Sequence, residues 1–166
     1  MVAMMVLSAV LAAQDPSEHH VRTTERMIRT LIEKGIAQSE TFRRLVDILD
    51  RSDVIVYVEP KMTRPGVAGF LSHRVVDAGG RRYMQIEMEF RGDSVRILSL
   101  LAHELQHAVE VSQDPEARDL KAVDRLFARI ASTRGCGAND CVETEAAVHV
   151  QDAVEAELKR LSGPSN

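Results

Sequence analysis

The sequence predicts an α+β fold in which helices pack around a small, three-stranded, mostly antiparallel sheet. Three observations predict it. Two stretches of helical periodicity open the chain, three β-rich runs follow in the middle, and the sequence after residue 93 is patterned for helices with no further strand. The length of 166 residues suits one domain, placed at residues 14–161, which can bury a core without disulfide or metal staples. A hydrophobic share of 45% is ordinary for a globular chain, and a net charge of −4 leaves no basic surplus for a nucleic-acid partner.

In residues 18–35, Val21, Met27, Ile28, Leu31 and Ile32 recur at helical spacing and Gly35 offers a stop; His19 and His20 read as part of an exposed end. Ser39 can cap a second helix whose buried face is Phe42, Leu45, Val46, Ile48 and Leu49. The β-branched and aromatic run V-I-V-Y-V at 54–58, ended by Pro60, predicts a strand. Two more are expected at 67–76 and 82–90, joined through Asp77-Ala78-Gly79-Gly80, whose glycines suit a hairpin turn. Asp93 or Ser94 can start a helix running to about residue 112, Asp114-Pro115 starts another that runs through Leu126 and Ile130, and a last helix spans 141–161 before a frayed tail at 162–166.

The uncharged, apolar residues 1–13, followed by Gln14-Asp15-Pro16, resemble the core and small-residue cleavage site of a signal peptide, with Ala12 or Ala13 last before the cut. No Lys or Arg precedes that core, so a short buried helix is the alternative. The first reading makes the protein exported, periplasmic or extracellular, without stable membrane insertion after processing; the second leaves it cytoplasmic. Cys136 and Cys141 enclose the turn-forming Gly137-Ala138-Asn139-Asp140 and could close a local disulfide in an oxidising compartment.

Functional chemistry concentrates in L-L-A-H-E-L-Q-H-A-V-E, residues 100–110. Residues four apart lie on one face of a helix, so His103 and His107 can present imidazole nitrogens to one Zn²⁺, while Glu104 can serve as general base beside the open coordination position. Ile97, Leu98, Leu101, Leu105, Ala108 and Val109 cover nearly the whole circumference of this helix, which is therefore central and buried. Buried histidines and a buried acid are costly unless satisfied, and a metal site accounts for all three. For a third ligand, Glu143 and Glu145 compete. Helical steps from Glu143 meet Ala146, Ala147, Val150, Val154 and Leu158, an apolar stripe, whereas steps from Glu145 meet His149, Asp152 and Lys159, a solvated face. Glu143 is expected inward; Glu145 and His149 are expected as an exposed pair, with a role for His149 as fourth ligand or oxyanion donor the lesser alternative.

H-E-L-Q-H followed by E-T-E-A-A resembles the gluzincin type of zinc metallopeptidase, especially its compact members, whose third ligand is the first glutamate of an E-x-x-A-D-like motif on a later helix. The resemblance implies a zincin-like fold with a C-terminal helix carrying that ligand, Zn²⁺ held by His103, His107 and Glu143, Glu104 as general base, and a peptide or protein substrate bound along an edge strand. The aspartate of that pattern is Ala147 here, so the carboxylate that orients a ligand histidine must come from Asp124, Glu110 or elsewhere. An oxyanion donor is not evident, although Tyr57, Tyr83 and His73 lie in the expected sheet region. The expected function is zinc-dependent peptide hydrolysis. The alternatives are a catalytically idle zincin-like domain that binds metal or partners, and a helical interaction protein in which the motif is coincidental.

Overall fold

The computed structural model describes residues 19–61, 68–132, 143–161 and 163; residues 1–18 and the pair Cys136 and Cys141 lie outside these. The chain is α+β, and the described residues form five helices and a five-stranded mixed sheet. Strand β1 (Val21–Arg22) leads into α1 (Arg26–Gln38) and α2 (Glu40–Asp50); β2 (Val54–Pro60), β3 (Gly69–Leu71), β4 (Val76–Ala78) and β5 (Arg81–Met88) follow, then α3 (Ser94–Gln113), α4 (Leu120–Ile130) and α5 (Glu145–Leu161). Among the described residues no helix is long and apolar enough to cross a membrane.

The sheet corrects the expectation of three mostly antiparallel strands. Its order is β1-β2-β5-β3, with β4 also on β5; β1 and β5 both run parallel to β2, while β3 and β4 run antiparallel to β5. The run expected as one strand at 67–76 is two short strands on the same flank of β5. Gly79 and Gly80, both at positive φ (59° and 75°), make the two-residue β4–β5 turn, the conformation a tight hairpin requires and one that L side chains rarely adopt.

Alternation along the strands separates the two faces. Val54, Val56, Val58, Met84, Ile86, Met88 and Leu71 point to the helix side and join one core with Phe42, Leu49, Leu98, Leu101, Leu105 and Phe127. Helix α3 crosses this core, packed on α5 and α2 as well as on the sheet. It starts where expected, since the Asp93 side chain accepts from the Arg96 N–H at 2.8 Å. Ser39 likewise caps α2 by accepting from the Phe42 N–H at 3.0 Å, and its hydroxyl donates to Glu157 of α5 at 2.5 Å, tying the helices together.

The N-terminal segment departs from expectation in three places. The helix expected from residue 18 begins at Arg26, because the chain before it pairs with β2 instead: the Val56 N–H donates to the His20 carbonyl at 2.8 Å, and Asp50 accepts from the His20 N–H at 2.7 Å and contacts His19 Nδ1 at 2.6 Å. His20 is buried, so the pair is not a free end. Gly35 does not stop α1. It is buried within the helix, and a Cβ there would lie 2.9 Å from the Phe42 ring and 3.1 Å from the Leu98 side chain. Because Phe42 and Leu98 are fully buried and cannot retreat, Gly35→Ala is expected to destabilise by about 1–2 kcal/mol, overpacking outweighing the usual gain in helix propensity. Urea unfolding measures this, and a variant as stable as wild type would show that the three helices can separate without loss.

Candidate metal centre

Helix α3 is apolar nearly all round, and its polar residues at 103, 104, 107 and 110 gather toward β3 and the start of α5. His103 and His107 stand one turn apart, ring centroids 4.9 Å from each other at 83°. The chain returns to them at Glu143, and ligand-capable atoms of His103, His107 and Glu143 all lie within 4.8 Å of one another. The expected position of Glu143 is right in space but wrong in structure. It does not ride on α5; it precedes the helix, whose first turn is closed by Thr144, with the Ala147 N–H donating to Thr144 Oγ1 at 3.1 Å. Glu145 and His149 are both exposed and outside this cluster.

The donor set suits a metal. His107 Nε2 and Glu143 Oε1 are buried with no hydrogen-bond partner, as is His103 Nδ1, and buried polar atoms are normally satisfied. His103 Nε2 lies 3.3 Å from Glu143 Oε1, about the spacing that two ligands of a tetrahedral zinc with bonds of about 2.0–2.1 Å must have. His107 Nδ1 lies 2.9 Å from Glu110 Oε2; the carboxylate can only accept, which assigns the proton to Nδ1 and leaves the Nε2 lone pair for a metal.

Electrostatics separates the two histidines. Burial, helped by the neighbouring His107, pulls His103 down to about 4 against opposing contributions from Gln151 and Glu110, so it is neutral and ready to ligate at ordinary pH. Burial also works against charge on His107, but Glu110 and the charges of Glu104 and Glu143 outweigh it and raise its pKa, so loading a metal there displaces a proton. Burial raises Glu143, with Glu110 adding to the shift.

Glu104 is buried at 7% exposure, and burial lifts it to about 7 although His107 and the Leu71 amide favour its charged form. That amide is informative. The Ser72 N–H donates to the Gln85 carbonyl at 2.8 Å and the Glu89 N–H to the Ala68 carbonyl at 2.9 Å, so by two-residue alternation Gly69 and Leu71 turn their backbone groups away from β5. The Leu71 N–H donates across that outer edge to Glu104 Oε2 at 2.8 Å. The acid beside the histidines therefore lies against the edge of β3 along which, among the described residues, no further strand pairs.

Tyr57 is in register with Gln85 and Tyr83 with Ile55, which puts both tyrosines on the sheet face turned away from α3. His73 sits just beyond β3, its ring stacked on Phe127 with centroids 4.9 Å apart and its Nδ1 2.7 Å from Asp124 Oδ1; Phe127 in turn meets His107 edge-on at 5.3 Å. Asp124 thus holds His73, and Glu110 orients His107. That role was open in the sequence, where the i, i+3 spacing of His107 and Glu110 on a buried helix was the available signal. No protein-family model, curated protein or solved structure matches the chain, so its function has to be read from these side chains.

Proposed function

We propose that the protein is a zinc-dependent peptidase with a zincin-like catalytic core, in which His103, His107 and Glu143 hold Zn²⁺ and Glu104 is the general base. One observation carries the reading: two buried ligand atoms without a hydrogen bond, His107 Nε2 and Glu143 Oε1, converge with His103 beside a buried glutamate that adjoins a strand edge on which, among the described residues, no further strand pairs. When bound, zinc supplies the Lewis acidity that polarises a scissile carbonyl and makes a neighbouring water more acidic.

The chain's own groups supply the remaining chemistry. Glu104, at about 7, is poised to take a proton from the attacking water near neutral pH and to hand it to the leaving amine. The outward backbone groups of Gly69 and the Leu71 carbonyl can pair with an extended peptide, whose backbone then runs past Glu104, while the Leu71 N–H holds Glu104 itself. Such pairing reads backbone rather than side chains. The same placement explains why Glu104 sits so close to β3: a base that serves a strand-bound substrate must reach the strand's outer edge.

Zinc content by elemental analysis tests the ligand set. Wild type and Glu145→Ala are expected to carry one zinc per chain, and His107→Ala and Glu143→Ala to lose it or hold it weakly. Well-folded wild type that takes up no zinc when supplied with it would end the hydrolase reading and leave the histidines as core residues.

A further inference from the structure

Resting on the zinc reading above, we infer that Glu110 and Thr144 are positioning residues that couple metal binding to the docking of α5. Glu110 divides its carboxylate between two jobs. Oε2 meets His107 Nδ1 at 2.9 Å, and Oε1 accepts from the Thr144 hydroxyl at 2.7 Å. Thr144 Oγ1 in turn accepts from the Ala147 N–H at 3.1 Å, so one buried chain of hydrogen bonds runs from a ligand imidazole on α3 to the first turn of α5. Thr144 also adjoins Glu143 in the chain. The same carboxylate therefore fixes the tautomer of one ligand and the location of another.

The placement accounts for three facts together. Glu110 and Thr144 are 8% and 3% exposed, and burying a carboxylate is costly unless its oxygens find partners, as both do here. Ala147, where the gluzincin pattern carries an orienting aspartate, is fully buried and offers no carboxylate. The orienting acid comes instead from α3 itself, three residues after the second histidine. Thr144 has its own helix to cap, so a metal that organises His107 and Glu143 also steadies the start of α5, and the reverse holds by linkage.

A chelator competition for Zn²⁺, paired with hydrogen exchange at the Ala147 amide, tests the coupling. Glu110→Gln, which loses one acceptor, is expected to weaken zinc binding by about 10- to 100-fold. Thr144→Val should weaken it by a smaller factor, Thr144→Ser should restore it, and the Glu110→Gln/Thr144→Val pair should lose no more than Glu110→Gln alone. Zinc should protect the Ala147 amide in wild type and fail to do so in Glu110→Gln. Glu157→Gln loosens the other tie of α5, to Ser39 and Thr41, away from the site, and should keep wild-type affinity. Zinc affinities of Glu110→Gln and Thr144→Val within twofold of wild type would overturn the coupling while leaving the metal site standing, as would a loss in Glu157→Gln as large as theirs. Wild type that binds no zinc would bring down both.

Discussion

Replacing Glu104 by Gln is expected to make the metal-free protein more stable at pH 8 by about 3 kcal/mol while sharply lowering the hydrolysis proposed for the zinc-loaded form. The stability gain follows from linkage. Glu104 is lifted from 4.5 to about 7 by burial, so the folded chain keeps its proton where the unfolded chain has lost it. Below 4.5 both states are protonated and the acid costs nothing; as pH climbs from 4.5 to about 7 the wild type loses stability, and above that the loss is complete. Gln keeps the shape and still accepts from the Leu71 N–H, but it never carries the buried charge. The gap between variant and wild type should accordingly be widest above pH 7 and close toward pH 4.5, measured by urea unfolding with a chelator present. Equal stabilities at pH 8 would mean that the Glu104 carboxylate is solvated.

For the zinc-loaded form, the same substitution should leave the metal bound and lower peptide turnover by about 10²- to 10⁴-fold, the usual contribution of a positioned base. A catalytically idle metal-binding domain would share the stability profile but show no turnover to lose. A buried acid that costs stability and lies against a strand edge on which, among the described residues, no further strand pairs is the pattern expected where function rather than folding selects the side chain.

The sequence made the centre of the molecule legible and its connections much less so. Helix α3 could be read because a near-continuous apolar circumference interrupted by H-E-x-x-H has few structural solutions, and the Ser39 and Asp93 caps because Ser and Asp ahead of a periodic run act locally. The sheet depends on pairing between distant segments. Strand β1 is only two residues long, and its parallel partner, like the parallel alignment of β2 with β5, leaves no local trace. Glu143 was placed inward by helical stepping although it lies ahead of the helix, because Thr144 caps α5 and the next apolar contact, Ala147, falls at the same spacing either way. The Thr144 hydroxyl donates to Glu110 at 2.7 Å across 34 residues of sequence, a pairing that leaves no local signature.

The least legible residue carries the second large prediction. Arg82 opens a strand in the sequence like any surface arginine, yet it is the largest fully buried side chain and only 1% exposed. Its Nε and Nη2 donate to the two Asp53 oxygens at 2.9 and 2.6 Å, and Nη1 donates to the carbonyls of Val111, Asp114 and Ala117 at 2.9, 2.7 and 3.2 Å, with Nη2 reaching Ser112 at 3.2 Å. A helix leaves its last carbonyls without intrahelical partners, and here one guanidinium gathers those at the end of α3 and anchors them to β5. Arg82→Met should cost about 3–5 kcal/mol, since it leaves Asp53 with only the longer Arg118 contact at 3.5 Å and strips the guanidinium donors from the carbonyls of Val111, Ser112, Asp114 and Ala117, and Arg82→Lys should recover only part, because an ammonium cannot reproduce the planar fork. Hydrogen bonding to Arg82 holds Asp53 below its ordinary value of 3.8, so the Asp53 share is present above that pH and lost as pH falls through the lower folded value. Denaturant midpoints at pH 7 and pH 3 check both statements. A loss under about 1 kcal/mol in Arg82→Met would mean that the end of α3 satisfies its carbonyls without the arginine, and that β5 and α3 are held together by apolar packing alone.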